Sequence, residues 1–508
     1  NIAIADLTGA DQFDGGAGRD RIGFTTAGTI TAAMLAGLSG FETLSLSSDG
    51  PNTVVLGTNL PTVNVAGGSA ADTVTLALAS QYVSLGAGDD TLIVTSNAVP
   101  ALSAYGKDGT DTIRTVGGGT FAIGAGIVEF ERAVMQDAAR LDLSATVMSL
   151  QVAGSSGDDT VVLGQVSQAV DGGGGNDTLA LVAPEISLNS LVSGFIVSFE
   201  QGKVLFGTSG SHTIAGFANA TGSAENDILD GDGNANRFSG GDGDDQLIGR
   251  GGDDTLVGAK GNDLLDGGDG NDTADYSTAA AGIVADLAQQ TTQVTNDGDG
   301  GQDQLVAIER IVGTRFDDII SGSAATNEIR GGDGNDVLGG FTAAALYGGA
   351  GSDTADFGAA PLPVVADLVT HSYGYTTLGA SVLDSIENLS GTAQADYLRG
   401  DGGANTLNGQ DGNDILIGGG GQDRLLGGAG NDSITDTGGV AFLDAGAGND
   451  TATITFGAGT QRADGAVWMT MGPGDDVLNI LLPASGAGAV AEYNRYILTD
   501  RGPAGGTT

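Results

Sequence analysis

The chain has 508 residues, of which 64 are acidic and 18 are basic, so its formal net charge at neutral pH is −46. This charge argues against binding to nucleic acid, which needs a basic surface, and against direct binding to anionic lipid. Because folding brings like charges together, we expect a cation to be part of the folded state. The absence of cysteine excludes a disulfide framework, and no apolar run is long enough to insert into a membrane.

Residues 1–205 contain a short Gly-rich segment that ends in Asp and recurs at uneven intervals. The interval is 18 residues between Asp72 and Asp90, and again between Asp159 and Asp177. The stretches between the copies are rich in β-branched residues, which favour strands, and have no second Gly-rich turn. The pattern predicts a β-solenoid with acidic turns along one edge and ordinary turns along the other.

Residues 222–275 divide without remainder into blocks of nine residues. Every block begins with Gly, position six is Asp or in one case Asn, and position eight is apolar. One apolar position in nine is too sparse for an amphipathic helix, which would repeat it every three or four residues. The spacing instead predicts a short strand and a turn in every block, with the apolar side chain pointing into a thin core.

These blocks resemble the calcium-binding nonapeptide GGxGxDxUx of RTX proteins. Glycines at positions one, two and four let the backbone turn through conformations that other residues avoid. They also leave carbonyl oxygens exposed, and the Asp at position six adds a carboxylate. Hard oxygen ligands on a flexible turn suit Ca²⁺, which accepts six to eight of them. The resemblance implies a parallel β-roll that binds multiple calcium ions and folds when it binds them.

Two blocks close one turn of the solenoid, so stacked turns are 18 residues apart. In the family, one turn gives carbonyls from positions two, four and six. The next turn gives carbonyls from positions one and three and the carboxylate from position six. One such site would join Gly241, Gly243 and Asp245 to Gly258, Lys260 and Asp263. On the opposite side Asn236 replaces the expected Asp, which weakens or removes the site that it shares with Asp254.

Spacers separate the motif runs, and each leads to a Phe-Glu or Ile-Glu pair. The glutamates are Glu42, Glu131, Glu200, Glu309 and Glu387. They are either further metal ligands or capping residues beside a buried hydrophobe, and capping is the favoured interpretation. Apolar residues at helical spacing predict a short helix after Pro184, and more weakly a helix over residues 30–41.

The later part of the chain repeats itself. Residues 272–287 match residues 353–368 at an offset of 81, and residues 308–336 match residues 386–414 at an offset of 78. This indicates an internal duplication of about 80 residues. The acidic loop at 296–303 is able to hold a further ion, but a solvated loop is the favoured interpretation.

The motif positions give the predicted metal ligands. They are Asp20, Asp72, Asp90, Asp111, Asp159, Gly172, Gly174, Asp177, Asp227, Asn236, Gly241, Gly243, Asp245, Gly252, Asp254, Gly258, Lys260, Asp263, Gly267, Asp269, Asp272, Asp318, Asn327, Gly331, Asp333, Asp336, Asp353, Asp396, Asn405, Asp414, Asp423, Asp432, Asp450 and Asp476.

The predicted fold is all-β: a parallel β-roll or β-helix solenoid with calcium-binding turns and short helical spacers. Five segments are expected. They are a solenoid with sparse, one-edged motifs at 1–205, a dense roll plus spacer at 206–307, a second module at 308–385, a third roll at 386–456, and a C-terminal cap with a candidate secretion signal at 457–508.

Catalytic motifs are missing from the sequence. There is no HExxH and no GxSxG, and the two histidines, His212 and His371, stand in unlike contexts. We therefore expect neither catalytic nor cofactor-binding residues other than those for Ca²⁺, and no enzymatic activity.

Two non-enzymatic functions remain. The first is a self-assembling surface protein, which resembles the calcium-dependent RTX S-layer proteins of Gram-negative bacteria. The second is the repeat region of a larger adhesin, toxin or secreted enzyme. The expected partners are further copies of the chain, in a sheet or filament, and cell-surface polysaccharide. We expect an extracellular or cell-surface location reached by type I secretion. The chain lacks an initiator Met and a signal-peptide-like start, so we expect a processed chain or a piece of a longer one.

Overall fold

The computed structural model describes residues 2–78, 81–95, 103–137, 139–164, 166–181, 194–206, 210–323, 328–339, 345–376, 381–437, 441–455, 467–481 and 496–498. Contacts divide the chain into two units. Unit 1 comprises Asn1–Gly258 and Gly268–Gly270, and unit 2 comprises Ala259–Gly267 and Asn271–Thr508. Short parallel strands dominate both units, so the prediction of an all-β parallel solenoid is confirmed.

Unit 1 is built from stacked parallel strands. In the longest sheet the spatial order is Thr29–Ile30, Thr53–Val55, Thr73–Leu76, Thr91–Thr95, Thr112–Val116, Arg132–Met135, Gln151–Ala153, Ala169–Asp171, Gly210–Ala215, Lys203–Phe206, Ile196–Ser198, Ile228–Asp230 and Gln246–Ile248. A second sheet contains Ile127–Val128, Ser103–Asp108, Tyr82–Ala87, Asn64–Ala66, Thr43–Ser45 and Arg21–Gly23. A third contains Thr120–Ala122, Arg140–Asp142, Thr160–Leu163, Thr178–Leu181, Asn219–Thr221 and Arg237–Asp242, and Phe13–Asp14 pairs with Leu38–Ser39.

Unit 2 has the same construction, and the strand Thr255–Lys260 contains Gly258 of unit 1 and Ala259 of unit 2. One sheet contains Thr273–Asp275, Arg310–Val312, Glu328–Asp333, Ala345–Ala350, Val364–Asp367, Ser372–Tyr375, Ser381–Asp384, Tyr397–Arg399, Ile415–Ile417, Ser433–Asp436, Thr451–Thr455 and Val477–Leu481. The other contains Val294–Asn296, Val284–Asp286, Ile319–Ser321, Val337–Gly339, Thr354–Asp356, Asn388–Ser390, Thr406–Asn408, Arg424–Ala429, Phe442–Ala447, Val467–Thr470 and Tyr496–Leu498. Leu264–Asp266 pairs with Gln304–Val306.

The core is a column of position-eight side chains on each of two facing sheets. In unit 2 one column aligns Leu398, Leu416, Ile434 and Ala452 in register, and the facing column aligns Leu389, Leu407, Leu425 and Leu443. All of these side chains are at most 1% exposed. Because alternate residues of a strand point to opposite faces, the flanking positions seven and nine point outwards. Each turn therefore adds little apolar burial of its own, and stability depends on neighbouring turns.

In the described ranges, three groups of antiparallel strands interrupt the parallel stacking. They are formed by Ile196–Ser198 with Lys203–Phe206 and Gly210–Ala215, by Val284–Asp286 with Val294–Asn296, and by Val364–Asp367 with Ser372–Tyr375 and Ser381–Asp384.

The predicted helices have different outcomes. Most of the helix after Pro184 falls in residues 182–193, which lie outside the described residues. The helix over residues 30–41 is wrong, because this segment forms turns between Thr29–Ile30 and Leu38–Ser39, which pair with other strands. Gly37 and Gly40 disfavour a helix there, whereas strand pairing satisfies the backbone. Within the described part of the chain, one 3-10 turn, Ile4–Asp6, is the only helical segment, and no helix is long and apolar enough to cross a membrane.

Candidate metal centres

The position-six aspartates form hydrogen-bonded ladders along the edges of the stack. In unit 2 the backbone N–H of Asp396 donates to Oδ1 of Asp414 at 2.8 Å. The same bond, at 2.9 Å, links Asp414 to Asp432, Asp432 to Asp450 and Asp450 to Asp476. Each carboxylate thus accepts the amide of the turn before it, and we call this series an aspartate ladder.

Further ladders link most of the predicted position-six ligands. The linked series are Asp72–Asp90–Asp111, Asp159–Asp177, Asp227–Asp245, Asn236–Asp254, Asp318–Asp336–Asp353 and Asn405–Asp423, with N–H to oxygen distances of 2.6–2.9 Å. Asp20, Asp263 and Asp272 instead donate to Glu42, Asp303 and Glu309. Asn327 lies outside the described residues.

Among the residues that the structure describes, asparagine stands at the first position of two ladders. The side-chain amide of Asn405 donates to the Glu387 carbonyl at 2.9 Å, and that of Asn236 donates to the Ala218 carbonyl at 3.1 Å. The side chains of Asn405 and Asn236 therefore face a carbonyl oxygen of the preceding turn, whereas the aspartates further along a ladder face a backbone N–H of the preceding turn. An amide nitrogen fits this arrangement and a carboxylate oxygen does not, so Asn at these positions begins a ladder.

In the described ranges, glutamate side chains accept the N–H of the last aspartate in a ladder or of a single position-six aspartate. Oε2 of Glu131 accepts the N–H of Asp111 at 2.7 Å, and Oε2 of Glu387 accepts that of Asp353 at 2.8 Å. Glu42 and Glu309 do the same for Asp20 and Asp272. This geometry corresponds to the capping interpretation of the Phe-Glu and Ile-Glu pairs. Glu200 differs, since it forms an ion pair with Arg250.

The second carboxylate oxygen of many ladder residues is buried without a donor. Among the described residues this holds for Oδ2 of Asp20, Asp90, Asp111, Asp177, Asp336, Asp353, Asp414, Asp423, Asp432 and Asp450. A buried carboxylate oxygen without a hydrogen bond or a cation is costly. These atoms are the places where a bound Ca²⁺ would find anionic ligands, so the residues present fit the metal.

Carbonyl oxygens of the next turn face the same positions. A Cβ placed on Gly409 would lie 2.3 Å from Oδ2 of Asp414 and 2.5 Å from the carbonyl oxygen of Gly427, one turn later. A Cβ on Gly331 would likewise lie 2.0 Å from Oδ2 of Asp336. Position one must therefore be Gly, and a carboxylate oxygen and a carbonyl oxygen converge over it. No group of three or more acidic or histidine side chains converges in the described ranges, so such sites rest mainly on backbone carbonyls.

The remaining predicted ligands lie on the turns or at their strand ends. Gly172 and Gly267 are position-one glycines, where a Cβ would lie 2.7 Å from Oδ2 of Asp177 and 2.6 Å from that of Asp272. Gly241, Gly243 and Gly252 have φ of +115°, +121° and +103°, which glycine alone adopts freely. Gly174, Asp269 and Asp333 donate backbone bonds to the preceding turn, and Lys260 ends the strand Thr255–Lys260, which contains Gly258.

Burial raises the pKa of several ladder carboxyls. The pKa of Asp90, Asp336, Asp414 and Asp423 rises to about 7, and that of Asp111 and Asp450 to about 6. Loss of hydration is the main cause, the amide hydrogen bond opposes it, and neighbouring carboxylates add to it. Without a cation, the folded state therefore disfavours the charged carboxylates at neutral pH.

The interpretation of residues 296–303 as a solvated loop is wrong. Asp297 is 1% exposed and Asp303 is 0% exposed. Asp303 takes the place of a ladder residue, since its Oδ1 accepts the N–H of Asp263 at 2.9 Å. Asp303 was not among the predicted ligands, although GDGGQDQLV at 298–306 is a nonapeptide with Asp at position six and Leu at position eight. The 40-residue separation from Asp263 concealed it.

His212 has structural surroundings, whereas His371 is exposed in a turn. His212 is completely buried and stacks on Phe206 at 4.6 Å between ring centroids. Its Nδ1 accepts the N–H of Gln168, so its Nε2–H donates to the Gly164 carbonyl, both at 3.1 Å. Burial lowers the pKa of His212 to about 4, which keeps the ring neutral.

The model of the RTX calcium-binding nonapeptide repeat, which spans four copies, matches the chain in several places. The matched residues are 4–22, 214–247, 248–276, 306–338, 390–425 and 417–452. No curated protein is similar enough to the chain to count as a match.

Proposed function

Because this chain carries RTX calcium-binding nonapeptide repeats, we propose that it is a structural protein that folds on calcium outside the cell and assembles with copies of itself into a surface layer or filament. RTX repeat proteins are typically secreted by Gram-negative bacteria. For this chain we propose an extracellular or cell-surface location, which it reaches by type I secretion with a signal in the residues after Leu482.

The observation that carries the proposal is the set of buried ladder carboxylates whose second oxygen has no donor among the described residues. The net charge of −46 opposes compaction, and a column of single apolar side chains gives a thin core. Binding of Ca²⁺ would neutralise the buried charges, so the binding free energy becomes folding free energy. The chain then remains unfolded where calcium is scarce and folds where it is abundant.

Self-assembly is supported by one end of the unit 2 stack. The strand Val477–Leu481 is paired on one side only within the described residues. Val477 and Leu481 are 49% and 51% exposed on the same face of this strand. An exposed strand edge with apolar side chains favours pairing with another chain.

We infer further that the protein is not an enzyme. The buried, neutral state of His212 supports this inference, because the ring has no route to a substrate.

We also propose cell-surface polysaccharide as a second partner. Trp468, the only tryptophan, is 51% exposed and lies in register with Phe442, which provides aromatic surface on which a sugar ring can stack.

Electron microscopy of the purified chain with and without Ca²⁺ tests the proposal. We expect a lattice or filaments in calcium and none in chelator. Substitution Asp414→Ala should raise the calcium concentration needed for assembly, whereas the exposed Asp411→Ala, in the same turn, serves as the matched control. Monodisperse rods in calcium would contradict assembly and favour the repeat region of a larger adhesin, toxin or enzyme.

A further inference from the structure

One cluster on the outer face of unit 2 carries more positive than negative charge, although the chain has 64 acidic and only 18 basic residues. Arg310 lies beside Glu328 in the neighbouring parallel strand, and Arg330 follows two residues after Glu328. The residues one position further along each strand, Ile311 and Ile329, are completely buried. Because alternate residues of a strand point to opposite faces, the three charged side chains all project outwards.

In this cluster one carboxylate pairs with two guanidinium groups. Nε of Arg310 lies 3.0 Å from Oε1 of Glu328, and Nε and Nη2 of Arg330 lie 2.7 and 2.6 Å from the same oxygen. Burial acts to raise the pKa of Glu328, but hydrogen bonds from both arginines outweigh it and lower the pKa, so the carboxylate is charged. In the part of the chain that the structure describes, neither arginine pairs with a second carboxylate. One positive charge is therefore left uncompensated within the cluster.

The guanidinium group of Arg330 is held in place and is accessible. Its Cζ lies 4.4 Å from the centre of the Tyr347 ring, so cation–π attraction orients the side chain. The side chain is 47% exposed, which leaves part of the guanidinium open to a further carboxylate. The carboxylates in the same row of the sheet, Asp275 and Asp384, are separated from Arg330 by Val312 and Tyr347. We call Arg310, Glu328, Arg330 and Tyr347 the arginine patch.

The fold does not require the charges of the arginine patch. In the second copy of the internal duplication, at the offset of 78, neutral residues replace all three charged ones, and they are Asn388, Thr406 and Asn408. The strands of the two copies nevertheless pair in the same register, since Asn388 lies beside Thr406 as Arg310 lies beside Glu328. The charges therefore contribute something other than strand pairing, and contact with another molecule is such a contribution.

We propose that the arginine patch is a contact surface between copies of this chain, and that it binds exposed carboxylates on the turns of a second copy. Because the net charge is −46, the charged groups that one copy presents to another are mainly carboxylates. Turn residues such as Asp317, Asp401 and Asp411 are exposed. A guanidinium group matches a carboxylate in both charge and hydrogen-bond geometry. This contact rests on the proposed self-assembly and supplies one surface for it.

The test measures self-association of the purified full-length chain in calcium by sedimentation velocity at a series of protein concentrations. Arg330→Asn introduces the residue that the second copy has at this place, and it leaves Arg310 to neutralise Glu328. We expect this variant to need about a fivefold higher protein concentration for half-association, which is the size of effect that one ion pair at an exposed surface produces.

The matched control is Arg399→Ser. Arg399 lies in the same unit, and its Nη1 is 3.3 Å from Oδ2 of Asp367, so a carboxylate of its own already neutralises it. The matching residue of the first copy, at the same offset of 78, is Ser321. Arg399→Ser changes the net charge by the same amount as Arg330→Asn, and we expect it to associate like the unmodified chain. Circular dichroism in the same buffer checks that both variants fold with calcium.

A second variant should shift association in the opposite direction. Glu328→Thr also introduces the residue of the second copy, and it removes the negative charge from the arginine patch. We expect it to lower the protein concentration needed for half-association, a gain that a misfolded variant does not produce.

Two failures are distinguishable. If Arg330→Asn associated like the unmodified chain, or if Glu328→Thr associated no better, the contact between copies would be overturned, and an acidic polysaccharide would be favoured as the partner of the arginine patch. If the unmodified chain stayed monomeric in calcium, both this contact and the proposed self-assembly would be overturned.

Discussion

Residues 52–181 in unit 1 and residues 391–455 in unit 2 connect their turns by different chemistry. In the earlier region carboxylates link the turns from Asp72 to Asp111 and from Asp159 to Asp177, and the neutral amide of Gln81 links turns as well. The side chain of Gln81 accepts the N–H groups of Ala77 and Leu78 and donates to the Leu60 carbonyl at 2.9 Å. In the later region both edges have aspartate ladders, which contain Asp414 and Asp423.

The difference shows which turns need a cation. An amide carries both a donor and an acceptor, so Gln81, which is 1% exposed, satisfies its surroundings without charge. A buried aspartate brings a negative charge and an oxygen that requires a partner. We therefore expect calcium dependence to be strongest in residues 391–455 and weaker in residues 52–181.

Removal of calcium should have the largest effect. In excess chelator we expect loss of most β-structure in circular dichroism, because the ladder carboxylates repel one another. In hydrogen exchange at intermediate calcium, the amides of residues 391–455 should lose protection before those of residues 82–95. A chelated chain whose spectrum matched that of the calcium-loaded chain would contradict this expectation.

A change of pH should have the next largest effect. The folded pKa of Asp414 and Asp423, about 7, exceeds the value of about 4 expected in an unfolded chain. Such groups stabilise the calcium-free fold fully below about pH 4, and this stability is lost as the pH rises through about 7. Thermal melts in chelator should therefore show higher stability at pH 5.5 than at pH 8. In calcium, protons compete with the ion, so the calcium concentration at the folding midpoint should increase as the pH falls.

Substitution of one ladder residue should have a smaller, local effect. Asp414→Ala leaves the Asp396 amide without its acceptor, at a cost of about 1–3 kcal/mol, and also removes a proposed ligand. Asp20→Ala affects a residue that has no aspartate partner and bonds to Glu42. Melting curves at several calcium concentrations should show a much larger shift for Asp414→Ala. Equal shifts would mean that the 18-residue stacking does not couple the sites.

The smallest expected effect concerns an amide link. Gln81→Glu removes the donor to the Leu60 carbonyl and brings a buried charge, so it should destabilise the chain by about 1–3 kcal/mol. Because no ladder residue is changed, the loss should be the same at low and high calcium. A loss that calcium reverses would show that this edge too binds the ion.

The strands and ladders were predictable because their determinants are local and periodic. Position-one glycines and position-six aspartates recur every nine residues, and the register between Leu398 and Leu416 follows from that period. Asp303 also belongs to a complete nonapeptide, but its irregular spacing from Asp263 kept it from being predicted as a ladder residue.

Other features depend on contacts between residues that are distant in the sequence, and a short motif does not predict them. Gln81 links turns through a single neutral amide, and nothing near it in the sequence distinguishes it from a surface glutamine. Glu131 and Glu387 were recognisable as a recurring pair with a hydrophobe, but a carboxylate serves equally as an acceptor or as a metal ligand. The apolar residues at 30–41 had helical spacing, yet pairing with distant strands decided their structure.

The residues at the two ends of a ladder determine which insertions and deletions the stack can accept. Asn405 begins its ladder with an amide that needs no earlier aspartate, and Glu387 closes another with an acceptor that needs no later one. Insertion or deletion of a complete 18-residue turn between such ends leaves every amide with an acceptor. An insertion of any other length must be accommodated as a spacer outside the strands. Repeat number is therefore free to drift by recombination in whole turns, while the residues at the ends stay fixed.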